Sequence, residues 1–379
     1  MTTAASLLQT LAARRGELAG LSAVAGFDGF VDEMISVVGE RSGPERWSPM
    51  RSMAELGAVI SGAAGRNGLR EIVVRGTDAG GCAVNLGDAL CALGVGLDYY
   101  GTIGQPRHPA FDAFAARCRS CTALGRSYGR TLALEFGDGK FFLSAVDQLG
   151  ELSPALLDQA TADGAYEAAC RRAGLIVLNN WTLYPHMTAC WRWLQEHVYA
   201  RLDHRPWLFV DLVDPSGRAV EDVRAMLAAL SVFQRTCETV FGLNLTEAAV
   251  IAGALGLPSP DRTAAGIAAT AEAIRARLGV AQVVVHNIHF NAVAEAGGTI
   301  HVPAGPHCAK PRKSTGAGDR FNAGYCLGLL LGLDAVQRCD LGSAVSGFFV
   351  REARSPGVDE LGGFLQRWAD GGLADSSLG

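Results

Sequence analysis

Charge is scarce in this chain. Charged residues make up 19% of its 379 positions and nearly cancel, leaving a formal net charge of −5. Such a chain lacks the basic face that a nucleic-acid partner requires, and it lacks the charge density of a disordered, solvating segment. Long apolar runs are missing as well. The longest, residues 325–333, falls far short of the ~20 residues of a membrane span. Arg14, Arg15 and Glu17 interrupt what would otherwise be an apolar signal core. A cytoplasmic protein with no nucleic-acid and no membrane partner is expected. The ten cysteines show no regular framework, which in a chain of this size reads as reduced thiols. Cys118 and Cys121 form a C-x-x-C, but no second pair or paired His follows at zinc spacing, so two thiols on a helix end are expected. Neither an internal repeat nor a low-complexity linker divides the chain.

Apolar residues, at 49%, are plentiful enough for a large core. From residue 150 onward, short apolar runs at 175–178, 207–212, 240–243 and 283–285 alternate with helical patterns at 186–202, 219–235, 246–256 and 263–278. That alternation predicts a doubly wound, mostly parallel sheet flanked by helices. Upstream, a short helix over 3–18 precedes a strand at 21–25. A strand at 97–103 and a helix over 109–121 follow. Residues 131–136 and 140–144 flank Asp138-Gly139 as a β-hairpin. Residues 40–70 are irregular apart from a helical pattern at 53–60. One α/β domain over 1–379 is expected.

Three segments carry chemistry. Lys313-Ser314-Thr315-Gly316-Ala317-Gly318-Asp319 reads as a tight loop opening a buried helix. The unpaired N–H groups and the dipole of a helix N-terminus attract an anion, and small residues let it approach. Asp319 there is a candidate general base for a substrate hydroxyl, with Gly316, Ala317 and Gly318 as the anion hole, which suggests phosphoryl transfer to an alcohol. Gly80 and Gly81 open a second helix, with Asn85 one turn inside. Asp28 and Asp32 follow the first strand, where an open sheet binds ligands. The third segment, Asn244-Leu245-Thr246-Glu247, reads as a helix cap, as a site linked to a metal, or as both.

These segments resemble the signatures of the ribokinase/PfkB family of carbohydrate kinases. Gly316, Ala317, Gly318, Asp319 and Phe321 match its D-T-x-G-A-G-D-x-F motif. Gly80, Gly81 and Asn85 match G-G-x-x-x-N, with Leu93-Gly94 completing it, and Asn244 and Glu247 match N-x-x-E. The resemblance implies a ribokinase-like fold with a small β-lid near 30–40 and 126–145, through which two copies could pair as a homodimer. It implies transfer of the γ-phosphoryl of ATP to a sugar. Asp28, Asp32, Gly80, Gly81 and Asn85 would hold the acceptor. Asn244, Arg218, Lys313, Thr315 and Ser346 would lie on the nucleotide side, and Glu247 with Asn244 would place Mg²⁺ through water. A nucleoside acceptor on the same fold would want an aromatic wall, for which Phe27, Phe30 and Trp181 are candidates. A catalytically silent sugar- or nucleotide-binding regulator is a third reading. Two departures stand out. Lys313 replaces an acid that in the family helps hold a monovalent cation, so activity without potassium is expected. His286 to Asn291 replace a glycine-rich nucleotide contact.

Overall fold

Strand Leu175–Asn179 is apolar until its last residue and wholly buried, as a strand covered on both faces must be. Its neighbours follow the same rule, and together they build a nine-stranded sheet in a computed structural model that describes residues 3–373. Residues 1–2 and 374–379 of the expected domain lie outside the described residues.

In chain order the strands are β1 (Ser22–Gly26), β2 (Phe30–Arg41), β3 (Trp47–Pro49), β4 (Ile72–Gly80), β5 (Gly96–Gly101), β6 (Ser120–Ala123), β7 (Gly129–Phe136) and β8 (Gly139–Ala145). They continue as β9 (Leu175–Asn179), β10 (Trp207–Asp211), β11 (Glu238–Asn244), β12 (Gln282–His286), β13 (Phe290–Glu295) and β14 (Gly298–Pro303). The large sheet runs β14-β13-β12-β11-β10-β9-β1-β5-β6. It is parallel from β12 to β6, and β13 and β14 add an antiparallel hairpin at one edge. Side chains alternate between two cores. Val24, Ile176 and Leu178 pack on one face, and Ala23, Ala25, Leu175 and Val177 on the other.

The chain steps outward from β1 in both directions, to β5 on one side and β9 on the other. A ligand crevice opens at such a reversal, outside the carboxyl ends of the strands. Between β1 and β5, and again between β6 and β9, the chain leaves the large sheet to build a second one. There β2 pairs with β3, β4 and β7, and β7 pairs with β8. Ile35, Val37, Met50 and Leu134 form its small core.

The four helical patterns read between 186 and 278 are present as Met187–His197, Val220–Phe233, Leu245–Ala254 and Ala264–Leu278. The last is bounded as its sequence dictates: the Thr263 hydroxyl accepts the Gly266 N–H at 3.1 Å, and Gly279 ends it at φ +67°. The helix expected over 109–121 is different. Only Asp112–Ala115 is α-helical, after a short 3₁₀ turn, and Cys118 and Cys121 sit at and beside edge strand β6 rather than on a helix end. Phe111 and Phe114 are buried and anchor this one short turn against the core. Strand β4 was not read from the sequence. Its apolar signal stops at Val74, and Gly76, Asp78 and Gly80 resemble a turn.

Candidate active site

Helix Ala317–Leu330 begins at Gly316, whose φ of +87° lies in the left-handed region that favours glycine. A Cβ there would come within 2.6 Å of Arg320 Nη1 and 3.3 Å of Asn85 Nδ2. One at Gly318 would meet His286 Cε1 at 3.2 Å. The Ala317 N–H donates to the Ser314 carbonyl at 3.1 Å. Helix geometry gives the Gly318 and Asp319 N–H groups no acceptor within the helix, so they are the donors available to an anion at its mouth.

Asp319 sits in that first turn. Its carboxylate accepts a hydrogen bond from Asn85 Nδ2 at 2.8 Å. Burial and the charges of Asp211 and Asp28 push it up to about 7, against the opposing pull of Arg320 and of the Asn85 bond. A carboxylate poised there can take a proton from a hydroxyl near neutral pH. The sequence assigned Asn85 to the acceptor; the structure puts its amide on Asp319.

On the lid side, Asp28 is fully buried. It accepts the Cys82 and Ala83 N–H groups at 2.7 Å each and Asn180 Nδ2 at 2.8 Å. It therefore caps helix Cys82–Ala92 rather than facing an acceptor, because its oxygens are already engaged by the chain's own donors. Gly81, at φ +104°, brings the backbone against that carboxylate. Asp32 lies on β2 opposite Asp78 of β4 and Thr131 of β7. Burial raises it to about 6, while the Thr131 hydroxyl and the Lys313 charge oppose the rise. A Cβ on Gly80 would fall on the Asp32 carboxylate, so the glycine makes room for it. Lys313 Nζ pairs with Asp78 at 3.2 Å, tying the Gly316 loop to the lid. The structure thus turns Lys313 toward β4, and it is not among the residues that line the large cleft.

That cleft, of about 840 Å³, lies on the other side of Gly318. Asn244, His286 and Asn291 line it from the sheet, and Ser343, Ser346 and Val350 from helix Ala335–Glu352. Ser314, rather than Thr315, lines it from the loop. Arg218 is elsewhere: it stacks over Trp181 at 4.2 Å and donates to the Thr182 carbonyl at 3.0 Å, which holds it away from the cleft.

Asn244 and Glu247 form a reciprocal capping box. Asn244 Oδ1 accepts the Glu247 N–H at 3.0 Å, and Glu247 Oε2 accepts the Asn244 N–H at 2.8 Å. Burial, and then Asp211, raise Glu247 to about 8, with Asp214 and Asp319 contributing. Asp211, at the end of β10, is itself raised to about 6 by burial and accepts Asn322 Nδ2 at 2.6 Å. Sequence reasoning gave Asp211 no role. Its signal was its place at a strand's carboxyl end, the same signal that singled out Asp28. Three carboxylates raised together and repelling one another suit a site that receives a cation. Among the described residues no group of three or more His, Cys, Asp or Glu is arranged to hold a metal ion.

Comparison with known proteins accords with this geometry. A sequence model of prokaryotic ketohexokinases matches residues 2–368. The ketohexokinase of Haloferax volcanii is 27% identical over 349 residues, 91% of each chain. Among solved structures, a ribokinase from Thermotoga maritima superposes with a TM-score of 0.62 at 16% identity, covering 91% of this chain and 99% of its own. An Escherichia coli protein described as a ribokinase II, in complex with ATP and Mg²⁺, gives a TM-score of 0.60 at 18% identity, covering 92% and 99%. These two structural likenesses speak for the fold. The sequence match spans nearly all of the chain and carries the assignment: the protein belongs to the prokaryotic ketohexokinase family and is a sugar kinase of ribokinase/PfkB type.

Proposed function

We propose that this sugar kinase transfers the γ-phosphoryl group of ATP to a hydroxyl of a ketohexose, with Asp319 as general base. The observation that carries the mechanism is the position of Asp319. It stands in the first turn of a glycine-opened helix, between the lid and the cleft, with its carboxyl raised to about 7. The acceptor hydroxyl loses its proton to Asp319 as its oxygen attacks. The Gly318 and Asp319 N–H groups face the charge on the transferred phosphoryl oxygens. Asn85 holds the base in place. Asp32, Gly80 and Gly81 orient the sugar under the lid. Asn244 and Glu247 would hold Mg²⁺ through water, which when bound neutralises phosphate charge. Ser346 lines the nucleotide side.

Two alternatives lose support. The aromatic residues that a nucleoside would want, Phe27, Phe30 and Trp181, are buried in the core at 1%, 4% and 0% exposure. A silent binder would have no need of a base held by Asn85 at the mouth of an anion hole. The test is turnover with Mg²⁺ and ATP across ketohexoses, aldohexoses and nucleosides. Preference for a ketohexose supports the proposal. Preference for a nucleoside or an aldohexose would refute the acceptor assignment.

A further inference from the structure

The cleft beside Gly318 contains polar atoms that the mechanism above does not use. Asn291 is 1% exposed and lines the cleft from β13, directly opposite His286 of β12. Its Nδ2 donates to Ser343 Oγ at 3.0 Å, and its Oδ1 has no partner. Asn287, at the turn between the two strands, lines the same cleft. Its Oδ1 accepts the His289 N–H at 2.7 Å and the Phe290 N–H at 3.3 Å, which leaves Nδ2 buried and unpaired. A buried polar atom without a partner is costly, and one on a residue that lines a ligand cleft gains a partner when the ligand arrives.

The two asparagines offer one acceptor and one donor. Other parts of the wall are apolar or aromatic. His286 lies 4.8 Å from the Phe321 ring, centroid to centroid, and burial lowers it to about 4, so it is neutral at physiological pH. Ile288, Pro306 and Val350 supply flat apolar contact. Adenine presents an exocyclic amine, a donor, beside a ring nitrogen acceptor, whereas a 6-oxopurine such as hypoxanthine or guanine presents an acceptor oxygen in place of the amine.

We propose that Asn291, oriented by Ser343, selects the purine of the phosphoryl donor by accepting a hydrogen bond from its exocyclic 6-amine, with Asn287 Nδ2 donating to the neighbouring ring nitrogen. The site is therefore specific for adenine nucleotides over 6-oxopurine nucleotides. This rests on the kinase reading only in taking the cleft as the donor nucleotide's.

The experiment compares ATP with inosine triphosphate, which differs from ATP at the purine 6-position, in two assays on the full chain. One is equilibrium binding by displacement of a fluorescent ATP analogue, and the other is ketohexose phosphorylation. The native protein is expected to favour ATP by about tenfold or more in both, the worth of one well-placed pair. Asn291→Ala should bring the two nucleotides to within about threefold by weakening ATP, with the KM for sugar unchanged. Ser343→Ala, which frees the amide to turn, should lower the ratio partway and guards against a folding defect in the first variant. Equal binding of the two nucleotides by the native protein, or a native-like ratio in Asn291→Ala, would overturn the proposal. Absence of sugar phosphorylation with either nucleotide would refute the kinase reading instead, while the binding ratio would still decide the role of Asn291.

Discussion

Asp319 is held where its charge is costly, and that cost is the source of its basicity. Burial and the nearby Asp211 and Asp28 raise it to about 7. In kcat/KM, which reports the free enzyme, activity should rise with pH along a limb centred near 7. The linkage runs the other way for stability. The folded state holds a proton that the unfolded chain releases at an ordinary carboxylate pKa. Folding stability from this group is therefore present at low pH and is lost as pH rises through about 7. Asp319→Asn should cut kcat by about 10²–10⁴-fold. At pH 8 the same change should stabilise the ligand-free protein by about 1–2 kcal/mol in urea melts. That figure is well below the full value of the shift, because the residue is not wholly buried and solvent screens part of the cost. Equal stability of the two proteins at pH 8 would contradict the burial argument. Lys313 makes a second residue-level prediction. It brings a fixed positive charge to the Gly316 loop and spends it on Asp78 of the lid. Turnover at constant ionic strength should be the same in potassium as in tetramethylammonium. Strong activation by potassium would show that this lysine does not replace a bound cation.

At the scale of elements, the lid depends on one missing Cβ. Gly80 of β4 lies where any side chain would strike the Asp32 carboxylate across the β2–β4 pair. Gly80→Ala should raise the KM for sugar more than it lowers kcat, and should cost about 1–3 kcal/mol of stability through overpacking. An unchanged KM would remove Asp32 from the acceptor site. The lid also exposes Ile72 and Val74 on β4 and Phe141, Phe142 and Leu143 on β8, each between 45% and 50% accessible. An apolar row on edge strands suits a second copy of the chain. Sedimentation should find a dimer that Phe141→Asp with Val74→Asp converts to monomer; a native monomer would refute this pairing. The elements differed in how far the sequence revealed them. The strands β9 to β12 were legible, because continuous apolar runs between amphipathic helices have one stable arrangement. Strand β4 and edge strand β6 were not, because edge strands are half-exposed and their glycines and charges resemble turns. The hairpin of β13 and β14 was hidden behind residues 286–291, which read only as a departure from a nucleotide loop.

Across the whole molecule, the catalytic end is set by topology. The order of strands reverses about β1, and the crevice there gathers Asp28 just after β1, Asn180 just after β9, the glycine-opened helix Cys82–Ala92 and the helix that carries Asp319. Motif spacing led to the expectation that Gly80, Gly81, Asn85, Asn244, Glu247 and Asp319 belong to one site. It could not disclose which of them touch one another. Asn85 turns to Asp319, Asp28 to a helix mouth and Arg218 to Trp181, and those pairings arise only when segments far apart in the chain, by 54 residues for Asp28 and Cys82 and by 234 for Asn85 and Asp319, are packed together. The influence of Asp211 on Asp319 and Glu247 was hidden for the same reason, since it is a matter of distance in space.

The most direct test is transfer of radiolabel from γ-labelled ATP to a ketohexose, with Mg²⁺ at pH 8, by the native protein and by Asp319→Asn at equal nucleotide occupancy. Label should appear in the sugar with the native protein and fall at least a hundredfold with the variant, whose affinity for ATP should be unchanged. Transfer by the variant at a native rate would contradict the role of Asp319. Failure of the native protein to label any ketohexose would contradict the proposed reaction.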